Sequence, residues 1–123
     1  MHKSRLSNVV IDCKDADIDA AGRFWSQALG RPLLPAEDPD YRGLEDREGQ
    51  PYVLVQRVEH ASRVHLDIET DDVDAEVARL EALGARRIEK VQTWWVMEAP
   101  TGQRFCVVRA QRGALPADAN DWP

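Results

Sequence analysis

The sequence His65-Leu66-Asp67 places an imidazole and a carboxylate two residues apart in a segment that alternates between apolar and polar side chains. If this segment is a β-strand, both groups point to the same side, roughly 7 Å apart. A histidine titrates near neutral pH, so the pair could act as a general acid or base with an orienting carboxylate. An equally simple interpretation is a histidine that is hydrogen-bonded to its neighbour for stability.

Three predicted strands carry aliphatic groups on one side and a mixed polar set on the other. The polar set is Asn8, Asp12, His65, Asp67, Glu69, Arg104 and Cys106. A solvated face of an antiparallel sheet alternates in the same way. Such a face is normally built of Lys, Glu, Thr and Arg, whereas asparagine, histidine and cysteine also serve as ligands and proton carriers. The set therefore predicts a site, with His65, Asp67 and Arg104 as its catalytic residues.

Several of these side chains have a second interpretation. Arg104 holds an anionic substrate group, or it pairs with Asp67 or Glu69. Cys106 lies in an apolar run and is typical of a small buried hydrophobic residue. The adjacent Trp94 and Trp95 point to opposite faces of a strand, so one packs in the core and the other forms a wall for an apolar ligand. The register that decides between the two indoles is open.

The first half of the chain predicts a strand, a helix and three further strands. The strand covers residues 6–13, and the helix carries Ile18, Ala21, Trp25 and Leu29 at helical spacing. Asp15 or Asp17 caps the start of the helix, and Gly30 ends it. The three strands that follow cover residues 33–37, 41–46 and 52–58.

The second half repeats this order. A strand over residues 63–69 leads to a helix that is capped by Asp71 or Asp72, carries Val73, Val77, Leu80 and Leu83, and ends at Gly84. Strands over residues 86–91, 93–99 and 104–109 follow. The segment Asp17-Ile18-Asp19 corresponds to Asp72-Val73-Asp74. We therefore predict an α+β fold of two βαβββ modules, 6–58 and 63–110, in one domain over residues 1–110. Residues 111–123 are expected to form a loosely held C-terminal tail.

Length and composition set limits on the function. A chain of 123 residues is one domain by the usual size range, and a net charge of -6 argues against nucleic acid as a partner. No apolar run reaches the roughly 18 residues of a membrane span, and the start of the chain is unlike a signal peptide. We therefore expect a cytoplasmic protein with no membrane partner, in which Cys13 and Cys106 are reduced.

A series of short motifs resembles the vicinal oxygen chelate superfamily, and specifically its glyoxalase-like branch. The motifs are Asn8 to Asp15, Phe24-Trp25, Ala28-Leu29-Gly30, His65 to Glu69, Leu83-Gly84-Ala85 and Pro100 to Val108. The resemblance covers residues 6–109. It implies two βαβββ modules whose mixed sheet curls into an open barrel around a cavity, and it implies a homodimer. Glyoxalase I, extradiol dioxygenases, fosfomycin-modifying enzymes and bleomycin-resistance proteins belong to this superfamily.

The resemblance also indicates four positions that hold a metal in the family. The first-strand histidine falls on Asn8, the second histidine on His65, and the glutamate of the last strand on Cys106. The fourth ligand falls near residues 53–56, where Gln56 is the candidate. Hard divalent cations prefer carboxylate and imidazole donors, and a His-Cys zinc site lacks obvious further ligands here. We therefore predict that no metal and no other cofactor is bound.

Two functions follow from these observations. The first is a metal-independent enzyme of the lyase or isomerase type, in which His65 is the acid or base, Asp67 orients it and Arg104 holds an oxygen of the substrate. The alternative is a protein of the bleomycin-resistance type that binds a drug or metabolite without chemistry, with Trp94 or Trp95 stacking on the ligand. A ferredoxin-like βαββαβ domain has too few strands for this sequence.

Overall fold

The computed structural model describes residues 1–14 and 17–123 and shows an α+β fold. In chain order the elements are β1 (His2–Lys14), α1 (Ile18–Leu29), β2 (Tyr41–Gly43), β3 (Tyr52–Val58), β4 (Arg63–Thr70), α2 (Val73–Ala82), β5 (Arg86–Val91), β6 (Trp94–Glu98), β7 (Arg104–Arg109) and β8 (Asn120–Trp122). Apart from the strand predicted over residues 33–37, the strand, helix and further strands predicted for each half are present in that order. The repeated arrangement and the mixed pairing of strands are therefore confirmed.

The chain divides into two compact units. The first unit is Asn8–His65, and the second unit combines Met1–Ser7 with Leu66–Pro123. The boundaries fall inside β1 and β4, so each of these strands contributes residues to both units. Each unit contains one helix and its own group of buried apolar side chains.

In the first unit, β3 lies between β1 and β2. It runs parallel to β1 and antiparallel to β2. Helix α1 begins where the Asp17 carboxylate accepts hydrogen bonds from two backbone amides, and it ends at Gly30, whose φ of 69° is left-handed. The other predicted cap, Asp15, lies outside the described residues. The core is formed by Ile11, Leu44 and Val53, with Cys13 and Trp25 packed against them.

In the second unit, β7 pairs in parallel with β4 and antiparallel with β6, which pairs antiparallel with β5. The Asp72 carboxylate accepts from the amide of Ala75 and so caps α2, which settles the choice between the two predicted caps. The core of this unit is a set of four buried apolar residues. They are Val77, Leu80, Met97 and Val107.

Three details of the sequence-based prediction are wrong. Residues 33–37 form no strand, and only an isolated bridge joins Leu33 to Leu44, because Pro32 before the segment and Pro35 within it cannot donate to a ladder. Leu29 and Leu83 belong to the predicted apolar stripes but are exposed, since Leu29 is the last residue of α1 and Leu83 is the C-cap that follows α2.

The C-terminal segment is held more firmly than predicted. Strand β8 pairs antiparallel with the start of β1, and the indole Nε1 of Trp122 donates to the Ser4 hydroxyl at 2.8 Å. The Arg79 guanidinium of α2 lies 3.8 Å from the centroid of the same indole ring. Trp122 therefore joins β1, α2 and β8 within the second unit, and the tail was misjudged because a three-residue strand has no recognisable period.

Neither helix in the described part of the chain has the length and the apolar composition that crossing a membrane requires.

Candidate functional site

The sheet of the first unit has one apolar face, and its other face carries polar side chains together with Val10 and Leu54. Register partners point to the same side of a sheet, and β1, β3 and β2 pair so that Asn8 lies opposite Tyr52, Asp12 opposite Gln56, and Gln56 opposite Tyr41. We call the side chains of Asn8, Asp12, Tyr41, Tyr52, Gln56 and His65 the polar face of the first unit. The opposite side packs against α1.

His65 is bonded to Asp12 on this face. The Nδ1 atom of His65 lies 2.7 Å from Oδ2 of Asp12, and the carboxylate is almost completely buried. Because a carboxylate accepts and does not donate, Nδ1 carries the proton of this bond. The bond fixes the orientation and the tautomer of the imidazole, which is the arrangement that histidine general bases use.

Two more nitrogen groups surround the same carboxylate. His60 Nε2 lies 3.8 Å and Arg63 Nε 3.9 Å from Asp12 Oδ2, which is beyond hydrogen-bond distance. The other oxygen, Oδ1, is buried and has no hydrogen-bond partner among the described residues. On the apolar side, burial and then the negative charge of Asp12 raise the pKa of the Cys13 thiol. Cys13 is therefore a protonated packing residue, and the polar chemistry lies on the other side of β1.

Strand β4 buries two carboxylates and exposes two of its apolar side chains. Asp67 and Glu69 are buried, whereas Val64 and Leu66 are 57% and 44% exposed. This reverses the usual arrangement of an amphipathic strand in a water-soluble protein. The simplest interpretation of the alternation in β4 was a face exposed to solvent. Because Asp67 and Glu69 are buried, that interpretation does not hold for their side of the strand.

The second unit carries the remaining predicted site residues except Trp95 on one side of its sheet. Asp67 pairs in register with Cys106, and Cys106 with Val96. Arg104 donates to Glu98, its partner on β6, at 3.2 Å. The hydrogen bond from Arg86, together with Arg104, lowers the pKa of Glu98 although partial desolvation opposes it. The carboxylate partner that the structure gives Arg104 is thus Glu98.

Glu69 is engaged in structural contacts. Its buried carboxylate accepts a hydrogen bond from Arg5 Nε at 2.6 Å and one from the amide of Gln111 at 3.5 Å. Both contacts lie within the second unit, and they join the start of the chain to the segment after β7. The sequence predicted that Glu69 binds a ligand. A ligand at this carboxylate would have to compete with the ion pair that Glu69 forms with Arg5.

The register of β6 separates the two tryptophans. Trp95 lies opposite Val107, packs against the core of the second unit and has the Arg87 guanidinium 5.0 Å from its ring centroid. Trp94 shares the side of Val96 and Cys106 by strand alternation, and it is half-buried. Trp95 is therefore the core residue, and Trp94 the one on the polar side.

The sequence alone did not indicate four residues of the first unit: Tyr41 and Tyr52, which pair with Gln56 and Asn8, and His60 and Arg63, which lie near Asp12. The alternation Tyr52-Val53-Leu54-Val55-Gln56 contained a signal for Tyr52, because the two valines are buried. The other three depend on the register of β2 and on the turn between β3 and β4, which no local pattern fixes.

The four positions that the resemblance associates with a metal do not fit a hard divalent cation. Asn8 and Gln56 offer neutral amides, Cys106 offers a thiol, and His65 already donates through Nδ1 to Asp12. Hard cations prefer carboxylate oxygens and imidazoles, and these four positions offer one imidazole and no carboxylate. No step of the mechanism below therefore uses a metal.

Comparison with known families agrees with this fold. Residues 8–108 match the sequence model of the family described as "Glyoxalase-like domain". No curated protein matches the chain.

Solved structures of the same fold come from several enzymes. A Mn(II)-bound glyoxalase from Novosphingobium aromaticivorans superposes with a TM-score of 0.61 and 20% identity, over 89% of this chain and 40% of its own. Methylmalonyl-CoA epimerase from Mycobacterium tuberculosis gives a TM-score of 0.63 and 16% identity, over 86% and 87% of the two chains. An extradiol ring-cleaving dioxygenase from B. fuscum gives 0.58 and 18%, over 85% and 32%. The chain thus spans about two fifths of the length of that glyoxalase and a third of the dioxygenase.

Proposed function

The chain belongs to the glyoxalase-like domain family, and from this premise we propose that it binds a small molecule and moves a proton with His65. The observation that carries the proposal is the 2.7 Å bond between His65 Nδ1 and the buried carboxylate of Asp12. The reaction is a metal-independent proton transfer of the isomerase or lyase type.

The proposed step removes a proton from a carbon atom next to a carbonyl group. The C–H bond breaks, the proton moves to Nε2 of His65, and the electron pair remains on the substrate as an enolate. Asp12 stabilises the positive imidazolium that forms, because its carboxylate stays bonded to Nδ1–H. The imidazolium then gives the proton to the neighbouring carbon atom of the enolate, which yields an isomer, or to a leaving group as its bond to carbon breaks, which yields the product of a lyase.

Asp12 takes the orienting role that the sequence suggested for Asp67. A buried carboxylate gains much more from a nearby imidazolium than an exposed one does, because little water screens the charges. The role of Asp67 remains the original prediction, with Cys106 beside it in the second unit.

The structural relatives support this class of reaction. Methylmalonyl-CoA epimerase, by its name, changes the configuration of one carbon atom, which requires a carbon-bound proton to leave and return. We therefore propose carbon acids, including acyl thioesters, as the first substrates to examine.

The test is hydrogen–deuterium exchange. Methylmalonyl-CoA and a panel of small 2-oxo and 2-substituted carboxylic acids are incubated with the protein in D₂O, and loss of the α-proton is followed by NMR. We expect exchange with at least one compound, a decrease of about 100-fold or more in His65→Gln, and unchanged exchange in Asp40→Asn, which alters a surface carboxylate bonded to Arg57. Equal exchange in His65→Gln and the wild type would disprove the catalytic role.

The alternative is binding without chemistry, and the half-buried Trp94 on the polar side of β6 favours it. In that case compounds quench tryptophan fluorescence in the wild type, Trp94→Phe loses the response, and no exchange accompanies binding. A homodimer and a cytoplasmic location remain expectations from the sequence, and light scattering in solution tests the first.

A further inference from the structure

Three nitrogen groups of the first unit converge on one oxygen atom. His65 Nδ1, His60 Nε2 and Arg63 Nε lie 2.7, 3.8 and 3.9 Å from Oδ2 of Asp12. Only the first distance is a hydrogen bond. One buried carboxylate therefore faces one permanent positive charge and two imidazoles, and it is hydrogen-bonded to only one of these three groups.

Arg63 leaves most of its hydrogen-bonding capacity unused. Other arginines of the same unit donate to carboxylates at hydrogen-bond distance: Arg42 to Asp19, Arg47 to Glu45 and Arg57 to Asp40. Arg63 donates only to His60 Nε2 among the described residues, at a long 3.4 Å, and its side chain is 44% exposed. Arg63 also forms no hydrogen bond with Asp12, because its Nε is 3.9 Å from Oδ2. The other oxygen of that buried carboxylate, Oδ1, has no hydrogen-bond partner in the described part of the chain. The guanidinium therefore keeps N–H donors for another acceptor.

His60 holds the guanidinium in place. Its Nδ1 lies 2.8 Å from the carbonyl oxygen of Ala61, which can only accept, so Nδ1 carries the proton. In the neutral imidazole, Nε2 is then the acceptor, and this is the atom that faces Arg63. His60 lies in the turn between β3 and β4 and positions Arg63. Arg63 is the first residue of β4 and precedes His65 by two residues.

We propose that Arg63 binds an oxyanion of the substrate, a carboxylate or a phosphate, next to the pair formed by His65 and Asp12. The planar fork of a guanidinium donates two parallel hydrogen bonds to such groups. The proposal deepens the proposed function and rests on it, because it names an anionic substrate class for the same site. It also moves the anion-holding role from Arg104, which donates to Glu98, to Arg63.

The test measures binding of two oxyanions at the arginine side chains. Sodium malonate and inorganic phosphate are titrated into ¹⁵N-labelled protein at constant ionic strength, and the Nε–H resonances are followed by NMR, with malonamide as the neutral probe. We expect saturable shifts with at least one oxyanion, none with malonamide, and about tenfold weaker binding in Arg63→Gln, the loss of roughly one charge-assisted bond. His60→Gln is expected to weaken binding by a smaller factor, because it only positions Arg63.

Arg57→Gln is the matched control. It removes the same charge from the same unit, but its guanidinium is bonded to Asp40. Unchanged binding in this variant and weakened binding in Arg63→Gln support the proposal. Absence of saturable shifts in the wild type, or equal weakening in both variants, overturns it. Thermal unfolding of each variant verifies that it folds.

The outcome is independent of the exchange experiment. If His65→Gln keeps full exchange activity while Arg63 still binds oxyanions, the proposed catalysis fails and the anion site stands. If exchange depends on His65 but Arg63→Gln binds oxyanions like the wild type, the anion site fails and the catalysis stands.

Discussion

The imidazole of His65 and the carboxylate of Asp12 form a 2.7 Å hydrogen bond between two strands, although the residues are 53 positions apart in the sequence. Asp12 is almost fully buried and His65 largely so. A bond of this kind between a carboxylate and a histidine is both an orienting contact and a source of basicity for the second ring nitrogen. It is the relationship from which the proposed chemistry follows.

The bond predicts a fixed tautomer of His65. Because Asp12 can only accept, we expect ¹⁵N NMR at neutral pH to show a proton on Nδ1 of His65 in the wild type. In Asp12→Ala the acceptor is gone, and the usual preference for a proton on Nε2 should return. His60, whose Nδ1 bonds to the backbone of Ala61, should keep its tautomer in that variant. A wild-type spectrum with the proton only on Nε2 of His65 would contradict the arrangement.

Glu76 makes the second unit sensitive to acid. Burial acts to raise the pKa of Glu76, but hydrogen bonds from Arg79, His2 and Ser4 together lower it below its ordinary value. A carboxyl group with a lowered pKa in the folded state contributes stability above its ordinary value of 4.5, and this contribution is lost as the pH falls through the folded value.

Glu76→Gln should therefore lower the free energy of unfolding by about 3 kcal/mol near neutral pH. The difference from the wild type should shrink progressively below pH ~4. Urea denaturation at a series of pH values measures both. The control is Glu81→Gln, which affects the surface ion pair with Arg87 and should cost less than about 1 kcal/mol. A difference that stays constant down to pH ~2 would show that the charge of Glu76 is not responsible.

Trp122 is expected to stabilise the second unit although it lies at the end of the chain. Its indole donates to Ser4 and lies against the Arg79 guanidinium, so Trp122→Ala should cost about 2 kcal/mol. Asp118→Ala, an exposed change in the same segment, should stay within roughly 0.5 kcal/mol of the wild type. Chemical denaturation measures both, and equal stabilities of the two variants would mean that β8 is not a firm part of the fold.

The two adjacent tryptophans should respond differently to substitution. Trp95 packs against the core of the second unit, so Trp95→Ala should cost about 3 kcal/mol of stability. Trp94 lies on the other side of β6, and Trp94→Ala should cost about 1 kcal/mol or less. Thermal or urea unfolding of both variants makes the comparison. If Trp94→Ala were the more damaging change, the assigned register of β6 would be wrong.

Metal ions should leave the protein unaffected. With amides and a thiol at three of the four positions, we expect Mn²⁺ and Ni²⁺ to raise Tm by less than about 1 °C, and protein purified without a histidine tag to contain no stoichiometric metal. A larger rise that disappears in His65→Gln would establish a metal site. Zinc is the sharper test, because thiolate suits zinc, and there Cys106→Ser is the informative variant.

Local patterns were sufficient to predict most of the elements from the sequence. Asp17 and Asp72 cap their helices, Gly30 ends the first with a left-handed φ, and the strand over residues 52–58 was predicted with the bounds that the structure has. Each of these features depends on residues within about one turn or one strand, so a single sequence contains the information. The repetition of the order in both halves then indicated the fold.

The partners of the site residues were decided by the tertiary structure alone. The sequence placed Asp67 beside His65 because the two are neighbours in β4, yet the bond at His65 Nδ1 comes from Asp12 on another strand. The contacts of Arg63 and His60 with Asp12, and those of Trp122 with Ser4 and Arg79, arise only from the pairing of segments that are distant in the sequence. The physical reason is that a strand's alternation defines which side chains share a face, whereas the register between strands, which defines the contacts, depends on packing across the whole sheet.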